Sequence, residues 1–365
     1  MRFKKSVLEP LNEGGVILGD GSMVFNLERR GYVHAGRFTP EVVLEHPDAV
    51  RQLHREYVNS GADVLQALTF FACEANLRQV GVKYTVSLHH ENTQCRAFSI
   101  KTCYLSQNKS LYAGEKTDCL IPSKSQHERQ KNKHFSLGRI TSSCLCEEIS
   151  NAACRIAKDV AEESDREILV AGCMCETFAY TGPYSMKECD AEFEVQVQCF
   201  IENDVDFVIA EYFRYIEEMC WAIEALKKTK KPVVAMMNIG GMGDRNGVST
   251  GDCAVAMAKA GADVIGLNCC FGPDNLIEAM KEMKEAIERA GLRRHLICLP
   301  LGFLTPDAGK DGYLGLPEYP FALEPRSLTR FDARKFARNA YEAGVKYIGG
   351  CCNFEAYHIR EMAAG

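Results

Sequence analysis

The sequence lacks a basic excess: 43 Lys and Arg face 49 Asp and Glu, for a formal net charge of −6. A general nucleic-acid binder carries the opposite balance, so that class is set aside. No uninterrupted apolar run reaches the length needed to span a bilayer. The basic residues near the N-terminus have no long apolar stretch behind them, so no signal peptide is expected. A dinucleotide fingerprint is missing too. The first apolar run ends Gly19-Asp20-Gly21-Ser22, and the glycine-rich loop 240–247 has the wrong spacing. With 46% apolar and 25% charged residues, the chain has the profile of a soluble globular protein. It is expected in the cytoplasm, without nucleic-acid or membrane partners.

Cysteine, by contrast, is abundant, with 18 copies. In a long chain with no export signal, free buried thiols and metal ligands are a better reading than a disulfide framework. Most are expected to pack as small hydrophobes. Cys73, Cys154, Cys189, Cys199, Cys220, Cys253 and Cys298 have no metal-like spacing and belong to that group. The one-residue spacing of Cys173 and Cys175 is only weakly suggestive of a site.

Short apolar runs recur at Gly15–Gly21, Asp63–Phe70, Glu167–Met174, Val205–Phe213, Pro232–Ile239, Asp263–Phe271, His295–Phe303 and Val345–Asn353. Each is nearly continuous rather than alternating, as parallel strands covered on both faces should be. Helical patterns fill the intervals: Thr39–Ser60, Glu188–Asn203, Glu217–Lys228, Gly251–Ala260, Pro273–Ala290 and Asp332–Ala343. Gly61, Gly261 and Gly344 stand where a left-handed helix cap is wanted. Eight alternating units predict a (β/α)8 TIM barrel; an open doubly wound sheet is the alternative.

One interval is out of scale. The second and third strand starts lie 104 residues apart, against about 27 to 50 elsewhere. The barrel is therefore assigned to 1–84 and 145–365, with a roughly 60-residue insertion over Thr85–Cys144 in the second βα unit. That segment holds nine Lys/Arg against four Asp/Glu and shows no sustained period, so a disordered or surface loop is expected. A basic lid is the functional alternative. Cys95, Cys103, Cys119, Cys144 and Cys146 lie there or at its edge with His89 and His90, but their spacings match no common zinc module.

Barrel active sites form where strands end. Two adjacent-cysteine pairs, Cys269-Cys270 and Cys351-Cys352, end the sixth and eighth runs. Neighbours on a regular strand face opposite ways, so two can converge on one ion only where the backbone bends; Gly349-Gly350 is expected to supply that freedom. Cys269, Cys351 and Cys352 would leave one position open on tetrahedral zinc, with Cys270 a bystander pointing away. Two buried thiols or a vicinal disulfide is the alternative. Asp20 and Glu211 end the first and fourth runs. Acids in such apolar surroundings need a partner, either a substrate ammonium group or a salt bridge in the barrel mouth.

At this point the sequence resembles the zinc-dependent homocysteine S-methyltransferases, on the side of the family that uses betaine. The resemblance is carried by GDGSMVFNLERRGYVHAG, EHPDAVRQLHREY, DFVIAEYF, KPVVAMM, GADVIGLNCCFGPD, PEYPFALEPR and GVKYIGGCCNFEAYHIR. It implies a (β/α)8 barrel and a cytosolic enzyme of methionine metabolism. One Zn²⁺ per chain would be held by Cys269, Cys351 and Cys352. Asp20 and Glu211, with Gly21 and Tyr212 nearby, would hold the amino group of homocysteine. Phe38, Phe70, Phe71 and Tyr212 are the candidate faces for an onium methyl donor, held by cation–π attraction. The family usually carries tryptophan at Phe38 and tyrosine at Phe71, which brings S-methylmethionine forward as the alternative donor to betaine. The chain ends 13 residues after Cys352, so the extension implicated in dimer contacts is expected to be missing and any homo-oligomer weakened. A zinc hydrolase is a poorer reading, because no strand end supplies a histidine. A thiol-rich, catalytically impaired paralogue is the non-enzyme alternative.

Overall fold

The computed structural model describes residues 6–33, 39–79, 82–91, 94–104 and 142–365. Each of the eight apolar runs contains a strand: β1 (Ile17–Leu18), β2 (Val64–Gln66), β5 (Leu169–Cys175), β6 (Phe207–Phe213), β7 (Val233–Met237), β8 (Val264–Asn268), β9 (His295–Leu299) and β10 (Tyr347–Ile348). They form one parallel sheet in the order β1-β10-β9-β8-β7-β6-β5-β2. Helices alternate with the strands, giving the (β/α)8 barrel.

The strands are buried on both faces. Phe207, Ile209, Val234, Met236, Ile297, Leu299 and Tyr347 fill the barrel interior, and Val7 and Leu11 close its N-terminal end. The alternate residues, such as Val208, Ala210, Ala235 and Ile265, pack under the surrounding helices. The predicted helix over Thr39–Ser60 is broken into Val42–Glu45 and Pro47–Ser60. Pro47 lacks an N–H and forces His46 out of helical geometry, to φ −136°. Among the described residues, no helix is long and apolar enough to cross a membrane.

β1 and β2 are not ladder partners, so the hoop has a seam. It is closed by an Asp63 N–H bond to the Leu18 carbonyl (2.7 Å) and by carboxylates. Leu18 N–H donates to Asp63 Oδ2 and Gln66 N–H donates to Asp20 Oδ2, both at 2.9 Å.

The out-of-scale interval opens with an element that the sequence reading missed. β3 (Val82–Glu91) and β4 (Gln94–Tyr104) form an antiparallel ribbon, paired from Val82↔Tyr104 to Glu91↔Gln94. The signal is a two-residue alternation: Val82, Tyr84, Val86 and Leu88 against Lys83, Thr85, Ser87 and His89. Most of the rest of Thr85–Cys144, including Cys119, lies outside the described residues, as do the side chains of Cys95, Cys103, Cys144, His89 and His90.

Candidate active site

The C-terminal ends of the strands surround a cavity of about 440 Å³. Asp20, Gly21, Phe70, Glu211, Tyr212, Cys269, Cys351 and Cys352, all singled out from the sequence, line it. Phe71 does not. It is buried behind the wall, its ring 4.2 Å from that of Phe70 and 6.2 Å from that of Tyr212. Phe38 lies outside the described residues.

The sulfurs of Cys269, Cys351 and Cys352 lie within 4.8 Å of one another, and Cys269 and Cys352 approach to 3.4 Å. Thiolates on tetrahedral zinc with 2.3 Å bonds sit about 3.8 Å apart, so the cluster fits that ion in spacing and in ligand softness. Without a cation the group cannot readily ionise. The Cys269 thiol is pushed well above its ordinary range by its hydrogen bonds with Cys270 and Cys351. At Cys351 a bond from Cys269 favours the thiolate but is outweighed by Cys352 and burial. Cys352 is raised by Cys269 and burial. Three crowded thiols of this kind call for a positive charge between them.

The backbone that brings them together differs from the expectation. Neither Gly349 nor Gly350 is left-handed. Glycine is required there for room: a Cβ on Gly350 would lie 2.1 Å from Phe354 Cγ, and one on Gly349 would lie 2.7 Å from Leu299 Cδ2. The bend is made by Asn353 at φ 67°, closing a turn in which Phe354 N–H donates to the Cys351 carbonyl at 3.1 Å. Cys269 and Cys270 have φ values of 59° and 55°, so the chain has left regular strand geometry at both. Cys270 is buried outside the three-sulfur group, its Sγ 3.7 Å from Tyr212 Oη. With Phe71 at φ 59° in the loop after β2, Tyr212 at 68° near the end of β6 and Asn353 in the loop after β10, non-glycine left-handed residues stand at or beyond the C-terminal ends of the second, fourth, sixth and eighth barrel strands. Each costs about 1–2 kcal/mol, strain that collects at this mouth.

The two acids sit beside the thiols. Asp20 is fully buried; burial pushes its carboxyl up to about 8, and the charge of Glu211 adds to this against the Gln66 N–H bond. Burial pushes Glu211 up to about 7. No cationic side chain acts on either, which sets aside the salt-bridge alternative among the described residues. Gly21 passes so close to its neighbours that a Cβ would meet the Phe354 carbonyl oxygen at 2.7 Å and the Tyr57 ring at 2.8 Å.

Several residues here escaped the sequence reading. Phe25, Tyr313, Tyr319 and Phe321 also line the cavity. The last three come from the long connection after β9, which carries no period to mark it. Asn268, the last residue of β8, accepts the Tyr212 N–H at 3.1 Å and donates to Glu211 Oε2 at 3.2 Å. The expected packing cysteines are free, and all but the partly exposed Cys220 are buried. Cys173 faces Gln66 at 3.5 Å and Cys175 accepts the Phe71 N–H at 3.1 Å, neither in a metal-like group.

The chain is similar to known proteins. The homocysteine S-methyltransferase family profile matches residues 17–102 and 125–365, its gap falling within the out-of-scale interval. Betaine–homocysteine S-methyltransferase 1 of Bos taurus is 44% identical over 360 residues, covering 99% of this chain and 74% of that protein. The S-methylmethionine–homocysteine S-methyltransferase of Pongo abelii is 41% identical, covering 99% of this chain and 81% of that protein. The crystal structure of the metallated homocysteine methyltransferase MmuM from Escherichia coli superposes with a TM-score of 0.64, covering 98% of this chain and 99% of that one. At 16% identity that likeness shows the shared fold. The chain belongs to the homocysteine S-methyltransferase family.

Proposed function

We propose that the protein transfers a methyl group from betaine to the sulfur of L-homocysteine, giving methionine. The observation that carries this is one cavity lined by three convergent thiols, the buried carboxylate of Asp20, the half-buried one of Glu211, and aromatic rings. Cys269, Cys351 and Cys352 would hold one Zn²⁺. When bound, zinc supplies the positive charge that keeps a substrate thiol deprotonated at neutral pH, where a free thiol near pKa 8.5 is mostly protonated. Asp20 and Glu211 hold the substrate ammonium group and so aim its sulfur into the mouth. Phe70 and Tyr212, with ring centroids 5.3 Å apart, offer π faces to the quaternary ammonium of the donor. The sulfur attacks the methyl carbon in line as the C–N bond breaks, and the electron pair leaves with nitrogen as a neutral tertiary amine.

S-methylmethionine is the second donor reading. The relative named for it is 41% identical, beside 44% for the betaine enzyme. Incubating the zinc-loaded protein with homocysteine and each donor, and quantifying methionine, separates the two. No product from either donor would favour the impaired paralogue. Cys351→Ala should lose both zinc and methyl transfer; full zinc occupancy in that variant would sink the site assignment.

A further inference from the structure

Glu211 and Tyr212 lie where β6 leaves its ladder. Pairing with β7 runs to Ala210↔Ala235 and resumes at Phe213↔Met237, so these two residues bulge opposite Met236 alone. A bulge re-aims side chains but removes backbone groups from the ladder, and a buried N–H left without an acceptor is costly. The Tyr212 N–H is rescued from two strands away. Asn268 ends β8, on the far side of β7, and its Oδ1 accepts that N–H at 3.1 Å. Asn268 is fully buried.

This bond fixes which way the amide points. With Oδ1 committed to Tyr212, Nδ2 faces Glu211 Oε2 at 3.2 Å. A flipped amide would set donor against donor at Tyr212 and acceptor against acceptor at Glu211. We infer that Asn268 is a positioning residue for the homocysteine amino group. It holds one oxygen of Glu211 so that the other faces the ligand, and it stabilises the bulge that puts Glu211 there. This rests on the proposed reaction. It also links the two halves of substrate recognition, because the next residue is the thiol Cys269.

Asn268→Asp tests it. The aspartate keeps the acceptor for Tyr212 and replaces the donor facing Glu211 with an oxygen. The KM for L-homocysteine should rise about 10- to 100-fold, the range for losing a hydrogen bond to a charged group. The KM for 4-mercaptobutanoate, which carries the same thiol without the amine, should stay within about twofold, and zinc content should not change. In a Glu211→Gln background the same substitution should add little, because the group through which it acts is gone. Equal losses on both thiols, or full additivity with Glu211→Gln, would overturn the assignment and leave Asn268 a structural residue. Asn268→Ala is the second variant. The ratio of kcat/KM for the two thiols does not depend on the active fraction, so it can be read from whichever variant is only partly folded. A wild-type protein that methylates neither thiol would instead refute the proposed reaction, and this inference with it.

Discussion

Lowering the pH from 8 to 6 should weaken the binding of homocysteine selectively. Asp20 and Glu211 are held up at about 8 and about 7 by burial before substrate arrives. An ammonium group binds the charged carboxylate, so each acid that must ionise divides the affinity by 1 + 10^(pKa − pH). Between pH 8 and pH 6 that factor changes about 10-fold for Glu211 and about 50-fold for Asp20. Affinity therefore falls as pH falls, by about 10-fold if Glu211 alone is engaged and by several hundredfold if both are. The substrate thiol also loses its proton on binding, which gives any thiol ligand a pH dependence. 4-Mercaptobutanoate shares that dependence and lacks the amine. Calorimetric titration of both thiols into zinc-loaded protein at pH 6, 7 and 8 isolates the acids as the ratio of the two affinities. A ratio constant within about twofold would refute the reasoning: the acids would then be ionised already, or would not touch the amine.

Gly350→Ala would place a Cβ 2.1 Å from Phe354 Cγ, and should destabilise the protein by at least about 1–3 kcal/mol and lower its zinc content; wild-type values in thermal melts and metal analysis would count against the crowding argument. Phe70→Ala should raise the KM for the onium donor about 10-fold and spare that for homocysteine, since the ring lines the cavity beside Tyr212; a donor KM that does not move would remove Phe70 from the donor site. His54 is fully buried with no hydrogen-bond partner at either ring nitrogen among the described residues, and burial, with the charge of Arg51, lowers it to about 4. Its folded form is neutral, so stability is intact above about pH 6.5 and falls by up to about 3 kcal/mol as pH drops towards 4. His54→Leu should move the acid-unfolding midpoint to lower pH, and an unmoved midpoint would show that another group sets it.

The barrel was legible because its strands are buried on both faces and read as continuous apolar runs, each followed by a helical pattern. The thiols and acids were legible because polar or metal-binding types stood at the ends of those runs. The reasons for some residues were not. Gly349 and Gly350 were read as a hinge, yet what they provide is clearance from Leu299 and Phe354, a packing fact fixed by residues elsewhere in the chain. Asn268 carries no local signal of its role, because its two partners lie 56 and 57 residues away. Tyr313, Tyr319 and Phe321 reach the cavity from an aperiodic loop, where no repeat marks a buried face. The β3–β4 ribbon was missed for a different reason: its alternation is present, but the polar composition of the interval obscured it.

The seam between β1 and β2 ties the molecule's architecture to its ligand. Asp20 Oδ2 clasps the Gln66 N–H across the one junction that lacks a ladder, while the same carboxylate faces the cavity. Ionising that group strengthens its bond to the N–H. Substrate that draws Asp20 into its charged form therefore also tightens the closure of the wall, and an empty site leaves the clasp at its weakest. Amide exchange at Gln66 should slow when homocysteine binds, so that this one backbone proton reports occupancy from the outside of the reaction.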